Sequence, residues 1–175
     1  MKINWALVCI GVLISGSMTK NVRPVIAAST FQIVSPAFNH NEKIPAQYTC
    51  SGEDVNPPLS IRGIPEGTKT LTLIMDDPDA PMGTWVHWVV YNIPPVEIIA
   101  ENSAPGQQAL NSFGRINYGG PCPPSGTHRY FFKLYALDTA LTASPKWTQA
   151  DVLKAMKGHV LAQTELTGLY KRESY

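Results

Sequence analysis

At 175 residues, with 15% charged side chains and a formal net charge of +1, the chain carries no run of like charge that would make a polyanion-binding patch or an acidic tail, which sets nucleic acid aside as a partner. Its 15 prolines and 13 glycines suit a turn-rich, strand-rich globule. The length fits one domain able to bury a core without staples.

The N-terminal stretch MKINWALVCIGVLISGS joins Lys2 to an apolar run from Trp5 to Ile14 and then to small residues, which is the pattern of an export signal. That run is about ten residues, well short of the roughly 20 that a membrane-crossing helix needs. No stable transmembrane anchor is expected, and Cys9 lacks the small residue before it that a lipoprotein signal would show. Cleavage after Ser17 and cleavage after Ala28 both satisfy the small-residue rule, so residues 1–28 read as a leader with two candidate ends. The product would be periplasmic or secreted. Loss of residues 1–30 removes Lys2, Lys20 and Arg23, leaving 11 basic against 13 acidic residues and a net charge of −2. Cys50 and Cys122 then remain as an even pair in a compartment that tolerates disulfides, either bridged or as two small buried thiols.

The domain is expected over residues 31–172, with no internal repeat and no linker. After Phe31 to Pro36 comes a polar, proline-bearing stretch to Pro58, and then Leu59 to Asp77, in which Pro65-Glu66-Gly67 signals a turn between strands. Thr70 to Asp76, Val86 to Ile93 and Arg129 to Leu137 are rich in branched and aromatic residues and predict interior strands. Pro94 to Pro124 reads mostly as loop. One helix is predicted over Gln149 to Lys157, capped by Thr148 and ended by Gly158, with Val152, Leu153 and Met156 on one side and Lys154 and Lys157 on a solvated face. The alternation of Gln163, Glu165 and Thr167 with Ala162, Thr164, Leu166 and Gly168 predicts a last strand. The class that fits is a mainly β protein, an antiparallel β-sandwich with one or two short helices near the C-terminus.

Strand alternation also locates chemistry, because residues two apart share a face. Leu71, Leu73 and Met75 lead to Asp77; Ile93, Tyr91 and Val89 lead back to His87; Leu134, Phe132 and Tyr130 lead back to His128. Arg129 and Lys133 take the opposite face of their strand. Three strand ends thus put ionisable groups in line with apolar side chains, which points to one polar pocket beside the core. In an anion site, Asp77 would accept a hydrogen bond from a histidine and favour the charged ring. A phosphate or carboxylate would then meet His87, His128, the Tyr130 hydroxyl and the backbone N–H groups of Gly119-Gly120, with Pro121, Pro123 and Pro124 stiffening the rim. The same residues also permit a two-histidine, one-carboxylate metal triad, although no compact ligand spacing exists. They permit hydrolysis with a histidine base as well, Ser125 being the serine nearest in sequence to His128, although no Gly-x-Ser-x-Gly elbow occurs. Taken singly, each histidine reads as a hydrogen-bonded core residue; taken together, they read as a site. His40 and His159 read as surface or strand-end residues.

DPDAP followed by WVHW, then YGGPCPPSGTHRYFFKLYALD, resembles the two signature regions of the phosphatidylethanolamine-binding protein family, the Raf kinase inhibitor-like proteins, in its bacterial branch. YTCSGEDVNPPLSIRGIPEGTKTLTLIMDDPDAP is similar to the family's opening segment, and the likeness spans about Phe31 to Arg172. The resemblance implies an antiparallel sandwich with a small surface cavity for phosphate-type anions, including phospholipid head groups. It assigns Asp77 as the acidic member, Pro81 and Trp85 to the wall, His87 and His128 as ligand-facing imidazoles, Gly120 and Pro121 to the rim and Tyr130 as a hydroxyl donor. It implies no general catalytic reaction, and no cofactor or metal is expected. Family members inhibit or modulate kinases, proteases or other partners, and a homodimer is compatible with the sequence. The C-terminal helix that covers the cavity in eukaryotic members has no counterpart in LYKRESY. An exported chain would not meet the cytoplasmic kinases of its own cell.

Overall fold

The computed structural model describes residues 30–142 and 146–173; the expected leader over residues 1–28, Cys9 included, lies outside the described residues. Two sheets face each other. Strands β1 (Gln32–Val34), β3 (Leu59–Arg62) and β6 (Ile98–Ile99) form the smaller, in the order β1-β3-β6. Strands β2 (Glu42–Lys43), β4 (Thr70–Asp77), β5 (Trp85–Ile93), β7 (Gln107–Gln108), β8 (Thr127–Leu137) and β9 (Val160–Lys171) form the larger, in the order β2-β9-β8-β4-β5-β7. All neighbours are antiparallel except β2 and β9, which run parallel. The Pro65-Glu66-Gly67 turn carries the chain from one sheet to the other, with Gly67 taking the positive φ of 83° that the turn demands. Within the stretch read as loop, β6 and β7 are two residues each, too short to leave a periodic signal.

The inter-sheet core joins Ile33, Leu59, Ile61 and Ile99 of the small sheet to Leu71, Leu73, Met75, Trp88, Val90, Phe132 and Leu134 of the large one. A second cluster covers the outer face of the large sheet, where Ile74, Val89 and Tyr91 meet Val152 and Met156 of the helix α1 (Gln149–Met156). With both faces covered, every residue of β4 is buried. Thr148 caps α1 in a reciprocal box with Asp151, which accounts for the sharp start. Leu153, predicted on the inward side, is 41% exposed instead, because the inward stripe is limited to Val152 and Met156, four residues apart.

Strict alternation fails in β5. Leu71 pairs with Ile93 and Leu73 with Val90, then Met75 pairs with Trp88 and Asp76 with Val86, so two register shifts interrupt the strand. At the first, Asn92 adopts φ 55° and exchanges side-chain hydrogen bonds with the Leu141 backbone at 2.7 and 2.8 Å, as befits a residue type that tolerates the left-handed region. The second leaves His87 as the extra residue. Val89 and Tyr91, expected in line with His87, therefore lie on the helix side with Ile74, while Trp88 and Val90 take the inter-sheet side.

Asp76, 2% exposed, faces α1 and is held by Lys133 Nζ at 2.7 and 2.9 Å, with Gln149 Nε2 at 3.4 Å. Replacing Lys133 by methionine keeps the stem's packing and strands that carboxylate. Fully buried pairs lose about 3–5 kcal/mol when one partner goes. The Lys133 side chain is 33% exposed. Urea unfolding of Lys133→Met is therefore expected to show a smaller loss, about 2 kcal/mol, partly recovered in the double variant Asp76→Asn/Lys133→Met.

Candidate functional site

Antiparallel register brings three strand ends to one edge of the large sheet. Asp77, last in β4, lies opposite Trp85, first in β5, while Asp76 pairs on its other side with Phe131 of β8, between Tyr130 and Phe132. Residues 78–84 close the β4–β5 turn, and the stretch before β8 supplies the facing wall. The result is a cavity of about 230 Å³ lined by Asp77, Ala80, Pro81, Trp85, His87, Phe113, Cys122, Pro123, Pro124, His128 and Tyr130.

Each imidazole is anchored through Nδ1. That of His128 donates to Asp77 Oδ2 at 2.7 Å, and that of His87 donates to the carbonyl of Gly119 at 2.6 Å. Because both partners are acceptors, Nδ1 carries the proton in each ring and Nε2 is the atom left for other contacts. Asp77 is 3% exposed and its second oxygen accepts the Asp79 N–H at 2.8 Å, so the carboxylate works as a fixed orienting group. His87 is also 3% exposed; burial pushes its pKa below the usual histidine value, offset in part by the Gly119 carbonyl and the Asp77 charge. Its ring meets Tyr130 and Phe113 edge-on at 5.2 and 5.5 Å. The Tyr130 hydroxyl is fully buried and makes no hydrogen bond of good geometry among the described residues, with the Asp77 carboxylate and the Cys122 backbone as its polar neighbours; burial followed by the negative charge of Asp77 pushes its pKa up, so it stays a neutral donor.

The turn itself is clamped from outside. Asp79 takes a two-pronged ion pair from Arg129, Nε at 2.9 Å and Nη2 at 2.7 Å, and also the Arg129 backbone N–H at 2.9 Å. The Arg129 hydrogen bond holds the Asp79 carboxyl down at a pKa of about 2. This explains why DPDAP carries a carboxylate that does not reach the cavity: Asp79 fixes the turn to β8, and Asp77 orients a ring.

Six of the sequence-predicted residues line the cavity together: Asp77, Pro81, Trp85, His87, His128 and Tyr130. Gly120 and Pro121 lie behind it. The Gly120 N–H is taken by Asp54 Oδ1 at 2.6 Å, and a Cβ at this position would fall 2.7 Å from the Tyr48 carbonyl, so glycine serves a close backbone approach and not a ligand. Pro121 offers its carbonyl to the Cys50 N–H at 3.2 Å, and the Gly119 N–H goes to the His87 carbonyl at 3.2 Å. Neither N–H of the Gly-Gly pair is therefore free for an anion. Ser125 is exposed and outside the lining, so the hydrolytic reading has no serine in the cavity. The metal triad loses its carboxylate to the His128 ring and the Asp79 N–H, and no cluster of three metal-ligating side chains occurs among the described residues.

Sequence reasoning missed Phe113, Ala80 and the cavity position of Cys122, whereas Pro123 and Pro124, read as rim prolines, stand in the lining. Phe113 sits in an aperiodic loop, in edge-on contact with Trp85 at 5.4 Å and under the Arg115 guanidinium at 5.3 Å. The cysteines are bridged, Cys50 to Cys122, which settles the choice between a disulfide and two thiols. His40 and His159 are exposed, as expected; His40 Nδ1 accepts the Thr167 N–H at 3.1 Å, and His159 pairs with Asp138 at 2.8 Å. Among the described residues no helix is long and apolar enough to cross a membrane.

Comparison with known proteins bears on the same stretch. The phosphatidylethanolamine-binding protein family profile matches residues 34–171. A UPF0098 protein of Methanothermobacter thermautotrophicus is 51% identical over 144 residues, 78% of this chain and 95% of the relative. One from Aquifex aeolicus is 44% identical over 169 residues, 90% of this chain and 99% of the relative. Among solved structures, a phosphatidylethanolamine-binding protein homologue from Chlamydia trachomatis superposes with a TM-score of 0.80 at 42% identity, covering 82% of this chain and 98% of that one. YbcL of E. coli, a member of the mammalian PEBP family, superposes at 0.76 and 30% identity, covering 83% and 100%. With the two-sheet fold, the profile over residues 34–171 and these relatives in agreement, the chain belongs to the phosphatidylethanolamine-binding protein family.

Proposed function

We propose that the chain is an exported binding protein whose cavity takes a small phosphate-type anion, such as a phosphorylated head group, and that occupancy modulates a partner protein. One observation carries the reading: two imidazoles with Nδ1 already committed share a cavity with a buried, unpartnered phenol. Such a set offers two ring Nε2 atoms and a hydroxyl to one ligand, and charge-assisted hydrogen bonds of this kind are the strong ones. Fixed rings and proline walls lower the ordering cost of binding. The leader-like N-terminus and the disulfide support export, since bridges persist in oxidising compartments. Titration with phosphate or phosphoethanolamine, followed by imidazole NMR, should move the signals of His87 and His128 together. Two stationary rings at millimolar ligand would end the anion assignment. Export is tested separately by cell fractionation with N-terminal sequencing, the chain being expected outside the cytoplasm with its N-terminus at Met18 or Ser29; a chain confined to the cytoplasm with residue 1 intact would refute it.

Two further results are expected. Sulfate keeps its charge across the neutral range, so any pH dependence of its binding belongs to the protein. Burial disfavours the charged form of His87 in the free protein, and an anion favours it. Sulfate should therefore bind more tightly as pH falls from about 8 to about 5, with proton uptake visible as a buffer-dependent binding enthalpy. Tyr130→Phe separates binding from stability. Removing an unpartnered buried hydroxyl leaves stability unchanged or raises it by about 1 kcal/mol, while phosphate binding weakens about fivefold through the lost donor.

A further inference from the structure

Cys50 and Cys122 are both exposed, and Cys122 forms part of the cavity wall. That combination is unlike a buried structural bridge, because a thiolate can reach the bond from solvent and the bond's far side is the binding site. The wall also has little else to hold it. Three of the four residues from Pro121 to Pro124 are prolines without an N–H, so no sheet ladder can form there. Its ties run mainly to residues 48–54: the Cys50 N–H to the Pro121 carbonyl at 3.2 Å, the Gly120 N–H to Asp54 Oδ1 at 2.6 Å, the Tyr118 hydroxyl to the Tyr48 carbonyl at 2.8 Å, and the disulfide, while Gly119 alone is joined to β5, its N–H to the His87 carbonyl at 3.2 Å and its carbonyl to His87 Nδ1 at 2.6 Å. The first three lie at or before Pro121. For Pro123 and Pro124, which face the ligand space, the disulfide at Cys122 is the nearest anchor.

We propose that the thiol–disulfide state of Cys50 and Cys122 switches the cavity, the bridged form holding the proline wall closed on the ligand and the reduced form releasing it. The reductant is a dithiol. Its first thiolate attacks one sulfur, giving a mixed disulfide and freeing the other cysteine as a thiolate; its second thiol then displaces the remaining cysteine. Two electrons and two protons pass to the protein, which ends with two thiols while the dithiol ends as a disulfide. Linkage requires the reverse effect as well: whatever binds the bridged form better must resist reduction by the same factor.

The test compares the oxidised chain with the dithiothreitol-reduced chain and with Cys50→Ser/Cys122→Ser, first without ligand. The readouts are the imidazole signals of His87 and His128 and the hydrogen exchange of amides from Gly119 to Thr127. Expected on reduction is exchange about tenfold faster in that stretch, with displaced ring signals, while the amide chemical shifts of β4 and β8 stay native and reoxidation restores the original state. Unchanged exchange and unchanged rings would overturn the proposal. Collapse of the β4 and β8 amide shifts to random-coil positions would also overturn it, since reduction would then be unfolding and not a switch. A phosphate titration follows, resting on the anion reading above, and an affinity about tenfold weaker in the reduced form is expected. Ligand-free changes without phosphate binding in the oxidised form would refute the anion reading and leave the switch standing. Equal affinity in both forms would refute the switch.

Discussion

His128→Ala is expected to weaken phosphate binding about 100-fold, the largest effect of any single substitution in the cavity. The ring provides a charge-assisted hydrogen bond, worth about 1.5–3 kcal/mol. Its removal also strands Asp77, which is 3% exposed and would keep only the Asp79 N–H as a partner, so a bare carboxylate would face the incoming anion. The two losses act in the same direction. Asp77→Asn/His128→Ala removes the stranded charge and should recover several-fold of the lost affinity, an outcome that separates repulsion from the missing donor. Calorimetric titration of the two variants against the parent checks the claim, with circular dichroism confirming that the fold persists. A loss smaller than about threefold in His128→Ala would show that the ring is not a ligand contact.

Removing the disulfide is expected to have the largest effect on stability. The bridge closes a loop with a sequence separation of 72, for which the chain-entropy estimate gives about 4 kcal/mol. Calorimetry of Cys50→Ala/Cys122→Ala should show Tm lower by on the order of 10 °C. Because the loss arises mainly in the unfolded chain, the folded variant should keep native chemical shifts in its central strands at lower temperature, while their slowest amides exchange faster in step with the lost stability. A Tm change under about 3 °C would mean that the unfolded chain is already restrained around these residues.

The long strands are legible in the sequence because their signal is local: branched and aromatic residues for β4, β5 and β8, and a period of two for β9. Asp77, His87 and His128 can be joined from the sequence because each lies at or near the end of such a strand. What escapes is non-local. Nothing in residues 94–124 foretells that β6 and β7 pair in different sheets, since two-residue strands follow their partners. Phe113 reaches the cavity through a loop held by Asn111, whose Oδ1 accepts the N–H groups of Phe113 and Arg115 at 3.0 Å each. Gly119 and Gly120 read as an anion-binding turn only while their N–H groups are taken to be free, and the fold commits both to protein acceptors. Glycine at position 120 answers a crowding requirement set by Tyr48 and Thr49, residues about seventy positions earlier.

The irregular strand β5 has a further consequence. Alternation places Tyr91 and Val89 wrongly yet aligns Ile93 with the binding end correctly, because the strand holds two extra residues and a second error of phase undoes the first. Ile93 and Trp85 are eight positions apart, an even number, and so share a side. Loss or gain of one residue between them would turn the rest of the strand over and send Trp85 away from Asp77, whereas a change of two would preserve the arrangement. In length variation this segment should thus tolerate paired changes and reject single ones, a parity rule imposed by the cavity on a strand whose middle never touches it.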